Sequence, residues 1–175
     1  GLIALHGTLA PEGAILKRAA ATPALLEHEG RAVVFSSLED LAARIDSPDL
    51  DVEAEDILVL QNAGPRSPSG MPEAGYLPIP KKLAKAGVKD MVRISDARMS
   101  GTAFGTIVLH VTPEADLGGP LALVQNGDRI RLSASAKTID LLVTPEELER
   151  RRSALLPSST PPARGYRKLY HDTIL

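Results

Sequence analysis

Short apolar runs rich in β-formers recur along this chain, and most are separated by loops punctuated with Gly and Pro rather than by helices. Arg31–Phe35, Ile57–Leu60, Met91–Ile94, Ile107–Val111 and Thr138–Val143 are such runs, and Gly1–Leu5 and Ala14–Leu16 are shorter ones. Leu121–Val124 and Ile130–Leu132 flank Asn126-Gly127, the dipeptide that best fits a two-residue hairpin turn. About seven short strands result, and so few intervening helices exclude a regular strand–helix alternation. The expected class is α/β: a mixed sheet of about seven or eight strands, barrel-like or two-layered, with helices outside.

Three helices are expected. Leu38, Leu41, Ala42 and Ile45 share one helical face, Ser37 can cap that helix with Asp40 three residues on, and Pro48 stops it. Ile79–Ala86 carries Pro80 early and Gly87 at its end, with Lys81, Lys82 and Lys85 outward. Thr144-Pro145-Glu146-Glu147 is a capping box that opens a helix to about Leu155. Residues 1–156 then form one domain. Residues 157–175 form a Pro-rich linker and the start of a helical tail, Tyr166–Leu175. Gly1 opens directly on strand-like residues and the tail reads as an unfinished helix, as expected of a piece of a longer protein.

The chain has no cysteine, so it can make no disulfide, thiolate metal site or cysteine nucleophile of its own. A hydrophobic content of 43% allows a substantial core, and aromatics at 3% leave its filling to aliphatic residues. A net charge of −2 without a basic run argues against a nucleic-acid surface, and no apolar run has the ~20 residues of a membrane span. There is no phosphate-cradling glycine loop, no Ser-His-Asp signature and no internal repeat.

Asp96-Ala97-Arg98-Met99-Ser100-Gly101-Thr102-Ala103-Phe104-Gly105 lies between two strand-like runs and concentrates a carboxylate, a guanidinium and two hydroxyls beside glycines. Taken locally, it fits an ordinary turn as well as a site. Asp96 and Arg98 fit a structural ion pair as well as a chemical role. Glu73 is the one carboxylate in the loop 66–75, either solvated or presented to a hard cation that prefers oxygen ligands. His6 and His28 fit hydrogen-bonded structural roles, and His110 fits a core or supporting one. Asp49–Asp56 reads as a solvated acidic loop, without the spacing of a calcium site. Arg129 and Arg131 read as a solvated face.

Four stretches in order resemble the C-terminal domain of the dihydroxy-acid and sugar-acid dehydratases, which act on phosphogluconate, arabinonate or xylonate. They are Gly7-Thr8-Leu9-Ala10-Pro11-Glu12-Gly13-Ala14, Gly64 to Gly70-Met71-Pro72-Glu73, Ser95 to Gly101, and His110-Val111-Thr112-Pro113-Glu114-Ala115 through Gly118-Gly119-Pro120. The resemblance covers nearly the whole chain. It implies a swivelling β/β/α barrel domain, akin to the mobile domain of aconitase-type enzymes. It implies elimination of water from a 2,3-dihydroxy carboxylate to give a 2-keto-3-deoxy acid, assisted by an iron–sulfur cluster and Mg²⁺.

Carried onto this chain, the resemblance makes Ser100 the catalytic base that removes the C2 proton, Glu73 a Mg²⁺ ligand and Thr102 a substrate-binding residue. The cluster cysteines and other Mg²⁺ ligands belong to the family's N-terminal domain, so this chain alone should bind neither cofactor tightly and should be inactive. Ala97 and Met99 around Arg98, and Ala74 after Glu73, depart from the amino-acid-biosynthetic branch and favour a sugar acid (aldonate). The branched-chain dihydroxy-acid dehydratase, a non-catalytic barrel or interaction module, and a separate aconitase-like small subunit remain as alternatives. The expected partners are the N-terminal cluster-binding domain, the small-molecule sugar acid and further copies in a dimer or tetramer, with neither nucleic acid nor membrane. The expected location is cytoplasmic.

Overall fold

The computed structural model describes residues 1–68, 77–101, 103–155 and 162–174. Eight strands form one mixed sheet: β1 (Leu2–Leu5), β2 (Gly13–Lys17), β3 (Glu27–Phe35), β4 (Ile57–Leu60), β5 (Arg93–Ser95), β6 (Ile107–Thr112), β7 (Arg129–Ser133) and β8 (Thr138–Leu141). Their order is β1-β2-β6-β5-β4-β3-β7-β8. The middle pairs, β3–β4, β4–β5 and β5–β6, are parallel, and the flanking pairs are antiparallel.

The two outer edges meet, so the sheet nearly closes into a barrel. His6 bridges to Thr138 beyond the end of β1, the Thr8 amide donates to Asp140 Oδ1 at 2.9 Å, and the Leu141 amide donates to Thr8 Oγ1 at 2.9 Å. Closure removes the exposed edges that an open sheet would leave for unwanted pairing.

The alternation of side chains along the strands produces two cores. Leu5, Leu16, Val34, Val59, Ile94, Val108, Ile130 and Ile139 point into the barrel, so every strand contributes to its interior. Their neighbours of opposite parity, Val33, Phe35, Leu58, Leu60, Ile107 and Leu109, point outward into a second core, to which α1 (Leu38–Arg44) contributes Leu41 and the loops contribute Leu77, Ala97 and Ala103. Each such side chain contributes roughly 1.5–3 kcal/mol on full burial. A short α2 (Lys81–Lys85), α3 (Pro145–Ser153) and α4 (Tyr166–Ile174) complete the helices. Ser37 and Thr144 cap α1 and α3, accepting from the amides of Asp40 and Glu147. No helix among the described residues is long and apolar enough to cross a membrane.

Three sequence expectations need correction. Asn126-Gly127 does not join two strands, because Pro120–Leu123 is a 3-10 helix with Pro at its first turn. The carbonyls of Leu121 and Val124 are taken by Gln61 Nε2, at 2.8 and 3.0 Å, instead of a partner strand. Asn126 still works as a turn residue, its Oδ1 accepting the Val34 amide at 2.6 Å, and the observed hairpin is β7–β8. The strand foreseen as Arg31–Phe35 starts at Glu27, because its polar first half pairs with β7. The acidic loop is not merely solvated: Asp51 and Asp56 both bind Arg31, and Asp56 is buried.

Candidate active site

The sheet order brings the described parts of the four motif stretches together at one edge. Parallel β4, β5 and β6 end on that edge and release the loops beginning at Gln61, Asp96 and Pro113. Antiparallel β2 starts there, its Gly13 paired with Thr112 at the end of β6. Thr112 Oγ1 donates to Gly13 O at 2.9 Å and the Glu12 amide to Thr112 O at 3.1 Å, which ties the first stretch to the fourth. Loops at the carboxyl ends of parallel strands, held by a rigid sheet, are where α/β folds gather binding and chemical groups.

Two buried carboxylates join the other loops. Asp96 is 1% exposed; its Oδ1 accepts the Ala63 amide at 3.0 Å and its Oδ2 the Ala115 amide at 2.9 Å. One side chain thus fixes the entries of all three loops. Glu114 is 6% exposed, and its Oε2 accepts the Arg66 amide at 2.9 Å, on the segment that runs toward residues 69–76. Gly64 is required here, because a Cβ at that position would lie 2.4 Å from Glu114 Oε2. Burial pushes the Asp96 carboxyl above its ordinary range against the hydrogen bonds it accepts. Burial likewise raises Glu114 and Asp116, and the charge of Asp96 adds to the rise in both. Arg98, by contrast, is exposed. Asp96 therefore serves as a brace for backbone amides.

Ser100 is half-buried in the loop that leaves β5, and the Ala103 amide donates to its carbonyl at 3.1 Å. The loop is gripped from several elements. Lys17 at the end of β2 donates to Gly101 O at 2.7 Å. His110 on β6 accepts the Met99 amide through Nε2 at 2.9 Å. Arg93 on β5 donates to Phe104 O at 3.0 Å and pairs with buried Asp90 at 2.9 Å. Gly105, at φ 96°, leaves room for that guanidinium, whose Nη2 would be 2.0 Å from a Cβ there. Beside this held backbone, Phe104 is 74% exposed.

Glu73 and Thr102 lie outside the described residues, as do residues 157–161 of the expected linker. His6 uses its backbone to join β1 to β8, and His28 Nε2 meets Glu55 O at 2.9 Å, both structural roles. Arg129 and Arg131 are exposed and share Glu29. The sequence reading missed Lys17 and Glu114. Glu114 sits inside the fourth stretch and could have been singled out as a carboxylate after Pro113. Lys17 carried no signal, since its role comes from the pairing of β2 with β6.

Among the described residues no group of three His, Cys, Asp or Glu could hold a metal ion. The chain also lacks any thiolate for a cluster. Neither group fits a ligand set formed by the described residues.

The sequence model of the dihydroxy-acid/6-phosphogluconate dehydratase C-terminal domain matches residues 1–175. The chain is 52% identical, over its full length, to the L-arabonate dehydratase of Azospirillum brasilense, covering 31% of that protein. It is 50% identical over 99% of its length to the 6-deoxy-6-sulfo-D-gluconate dehydratase of Pseudomonas putida, covering 30% of it. It is 44% identical over 92% of its length to the dihydroxy-acid dehydratase of Methanoregula boonei, covering 28% of it. The chain therefore spans less than a third of the length of the curated relatives it matches.

Proposed function

The chain belongs to the dihydroxy-acid/6-phosphogluconate dehydratase family, and on that premise we propose that it is the C-terminal domain of a hydro-lyase acting on a sugar acid. The observation that carries this reading is the meeting of the described parts of four motif stretches at one edge of the sheet, with Ser100 on the loop that leaves β5 at Asp96. Higher identity to the arabonate and sulfogluconate dehydratases than to the dihydroxy-acid dehydratase favours an aldonate.

In this reading Ser100 Oγ removes the C2 proton of a 2,3-dihydroxy carboxylate. The C2–H electrons form the C2–C3 double bond, and the C3–O bond breaks with its electron pair leaving on the hydroxyl oxygen. That hydroxide takes up one proton, the equivalent of the one Ser100 Oγ removed, and departs as water, and the enol tautomerises to a 2-keto-3-deoxy acid. A serine removes such a proton only where cations stabilise its alkoxide. Within this chain the Lys17 ammonium lies 2.7 Å from the carbonyl of the next residue, Gly101. Glu73 would supply a carboxylate to Mg²⁺, which would polarise the substrate oxygens, and Thr102 would be a substrate-binding residue. The cluster and the other Mg²⁺ ligands belong to a preceding N-terminal domain of the same protein.

The test is turnover of a panel of aldonates by the full-length protein. Ser100→Ala should lower kcat by about 10²–10⁴-fold, the range of a positioned proton-transfer group, while the isolated chain should show no turnover. Near wild-type kcat in Ser100→Ala would remove the serine from the chemistry. Turnover by the isolated chain would remove the need for a second domain.

A further inference from the structure

β6 does not run evenly beside β2. Gly13 pairs with Thr112 and Ile15 with Leu109, so two steps on β2 are matched by three on β6. The extra residue is a β-bulge, and His110 lies in it at φ 53°, a left-handed conformation that is uncommon for a residue with a side chain. The parity of the strand shifts there, for Val108 and Val111, three residues apart, both face the barrel interior. Bulges re-aim side chains, often beside functional sites.

This one aims its imidazole at the loop after β5. The His110 amide donates to Ala97 O at 3.0 Å, and its Nε2 accepts the Met99 amide at 2.9 Å. One residue thereby holds both sides of Arg98, and Ser100 follows directly. We propose that His110 is a positioning residue that sets the backbone from which Ser100 projects.

The inference rests on the reading of Ser100 as the proton-abstracting group. An amide N–H must find a lone pair, so the bond requires a neutral imidazole with its proton on Nδ1. Burial and then the charge of Arg98 hold His110 below its ordinary pKa, which favours that form. The β2 residues across from the bulge, Gly13 and Ile15 with Ala14 between them, bring no charge, so among the described residues Arg98 is the charged group acting on His110. A proton on Nε2 would turn the acceptor into a donor and release Met99 N–H.

The experiment compares the full-length enzyme with His110→Leu and His110→Gln, the second keeping a non-titrating acceptor. Amide exchange of the 96–105 segment and the pH profile of kcat are the readouts. His110→Leu should speed exchange at Met99 and lower kcat at pH 8 by about 10²-fold, the scale of a displaced reacting group, with KM little changed. His110→Gln should restore most of kcat, and its acid limb should lose the component that the wild type shows below about pH 6.5. Unchanged exchange in His110→Leu, or faster exchange with unchanged kcat, overturns the proposal. So does an acid limb in His110→Gln identical to that of the wild type. Full-length protein with no aldonate turnover would instead break the functional reading, and the exchange comparison, which needs no turnover, would still decide whether His110 holds the loop.

Discussion

Two sets of carboxylates divide the molecule. Asp40 and Glu147 stand on helices outside the barrel and face guanidinium groups: Arg44 for Asp40, and Arg150 then Arg151 for Glu147. Those partners bring both carboxyls down to about 2. Asp96 and Glu114, at the site edge, are buried and face backbone amides, and burial pushes both up. The difference is one of purpose. The carboxylate–guanidinium pairs each lie within one helix, and the guanidinium groups of Arg44 and Arg151 reach on to Val34 O and Leu123 O, fastening each helix to its surroundings through a long side chain that tolerates small shifts. Two amides aimed at two carboxylate oxygens fix the main chain itself, through charge-assisted bonds that are stronger than those between neutral groups. The site edge uses buried negative charge to hold backbone in register, and accepts the desolvation cost of doing so.

The strongest way to break that contrast is Asp96→Asn. The amide offers one acceptor oxygen, so either Ala63 N–H or Ala115 N–H would face an NH₂ group instead. A buried donor left in that state costs about 1–3 kcal/mol, more where a charge was involved. We expect a loss of about 3 kcal/mol in denaturant unfolding and a fall in kcat of the full-length enzyme as well, because three loops lose their common anchor. Loss of stability without loss of kcat would mean that the brace is independent of the chemistry.

The matching change on the other side is Arg151→Met. Arg151 is nearly buried and donates to Leu123 O at 2.9 Å and to Asp128 Oδ1 at 3.0 Å. Its removal frees α3 from the segment before β7 and should cost about 2 kcal/mol, the scale of hydrogen bonds to charged groups. The kcat of the full-length enzyme should stay at the wild-type level. A fall in kcat as large as that of Asp96→Asn would erase the distinction between the two regions.

How much of this arrangement the sequence could reveal follows the same division. The helix caps Ser37 and Thr144 and the α/β class were legible, because caps and apolar alternation are local signals. The four motif stretches were legible as resemblance, which the family match over residues 1–175 bears out. Their meeting at one edge was not, since it depends on β6 lying between β2 and β5, a pairing of segments far apart in the chain. Asp96 beside Arg98 fits an ion pair as well as a chemical role by sequence, and nothing local shows the two amides that it holds, which lie 33 and 19 residues away. Leu121–Val124 read as a strand because a short apolar run carries no period to separate strand from helix. The bulge at His110 left no mark, for one extra residue in a ladder appears only once the partner register is known.

The smallest effect tests the sign of the contrast by pH. Asp40 is bound by Arg44 at 2.6 Å, with the Ser36 amide also donating to it, on a partly solvated surface. An exposed i,i+4 pair of this kind contributes about 0.3–0.5 kcal/mol, so Asp40→Asn should lower stability near neutrality only by about that amount. Asp40 has a folded pKa of about 2, below its ordinary 3.8, so its contribution is present above that ordinary value. It fades as the pH falls toward 2, where the unfolded chain is already protonated. Wild type and Asp40→Asn should therefore converge in unfolding curves taken from pH 6 down to pH 2. Asp96 has the opposite sign. Its folded pKa is raised, so the native state takes up the proton first, and acidification adds stability at that site. The stability difference between wild type and an Asp96→Asn variant should thus not shrink through protonation of the unfolded chain as it does for Asp40. A pair of difference curves with the same slope against pH would show that backbone-held and guanidinium-held carboxylates behave alike in this barrel.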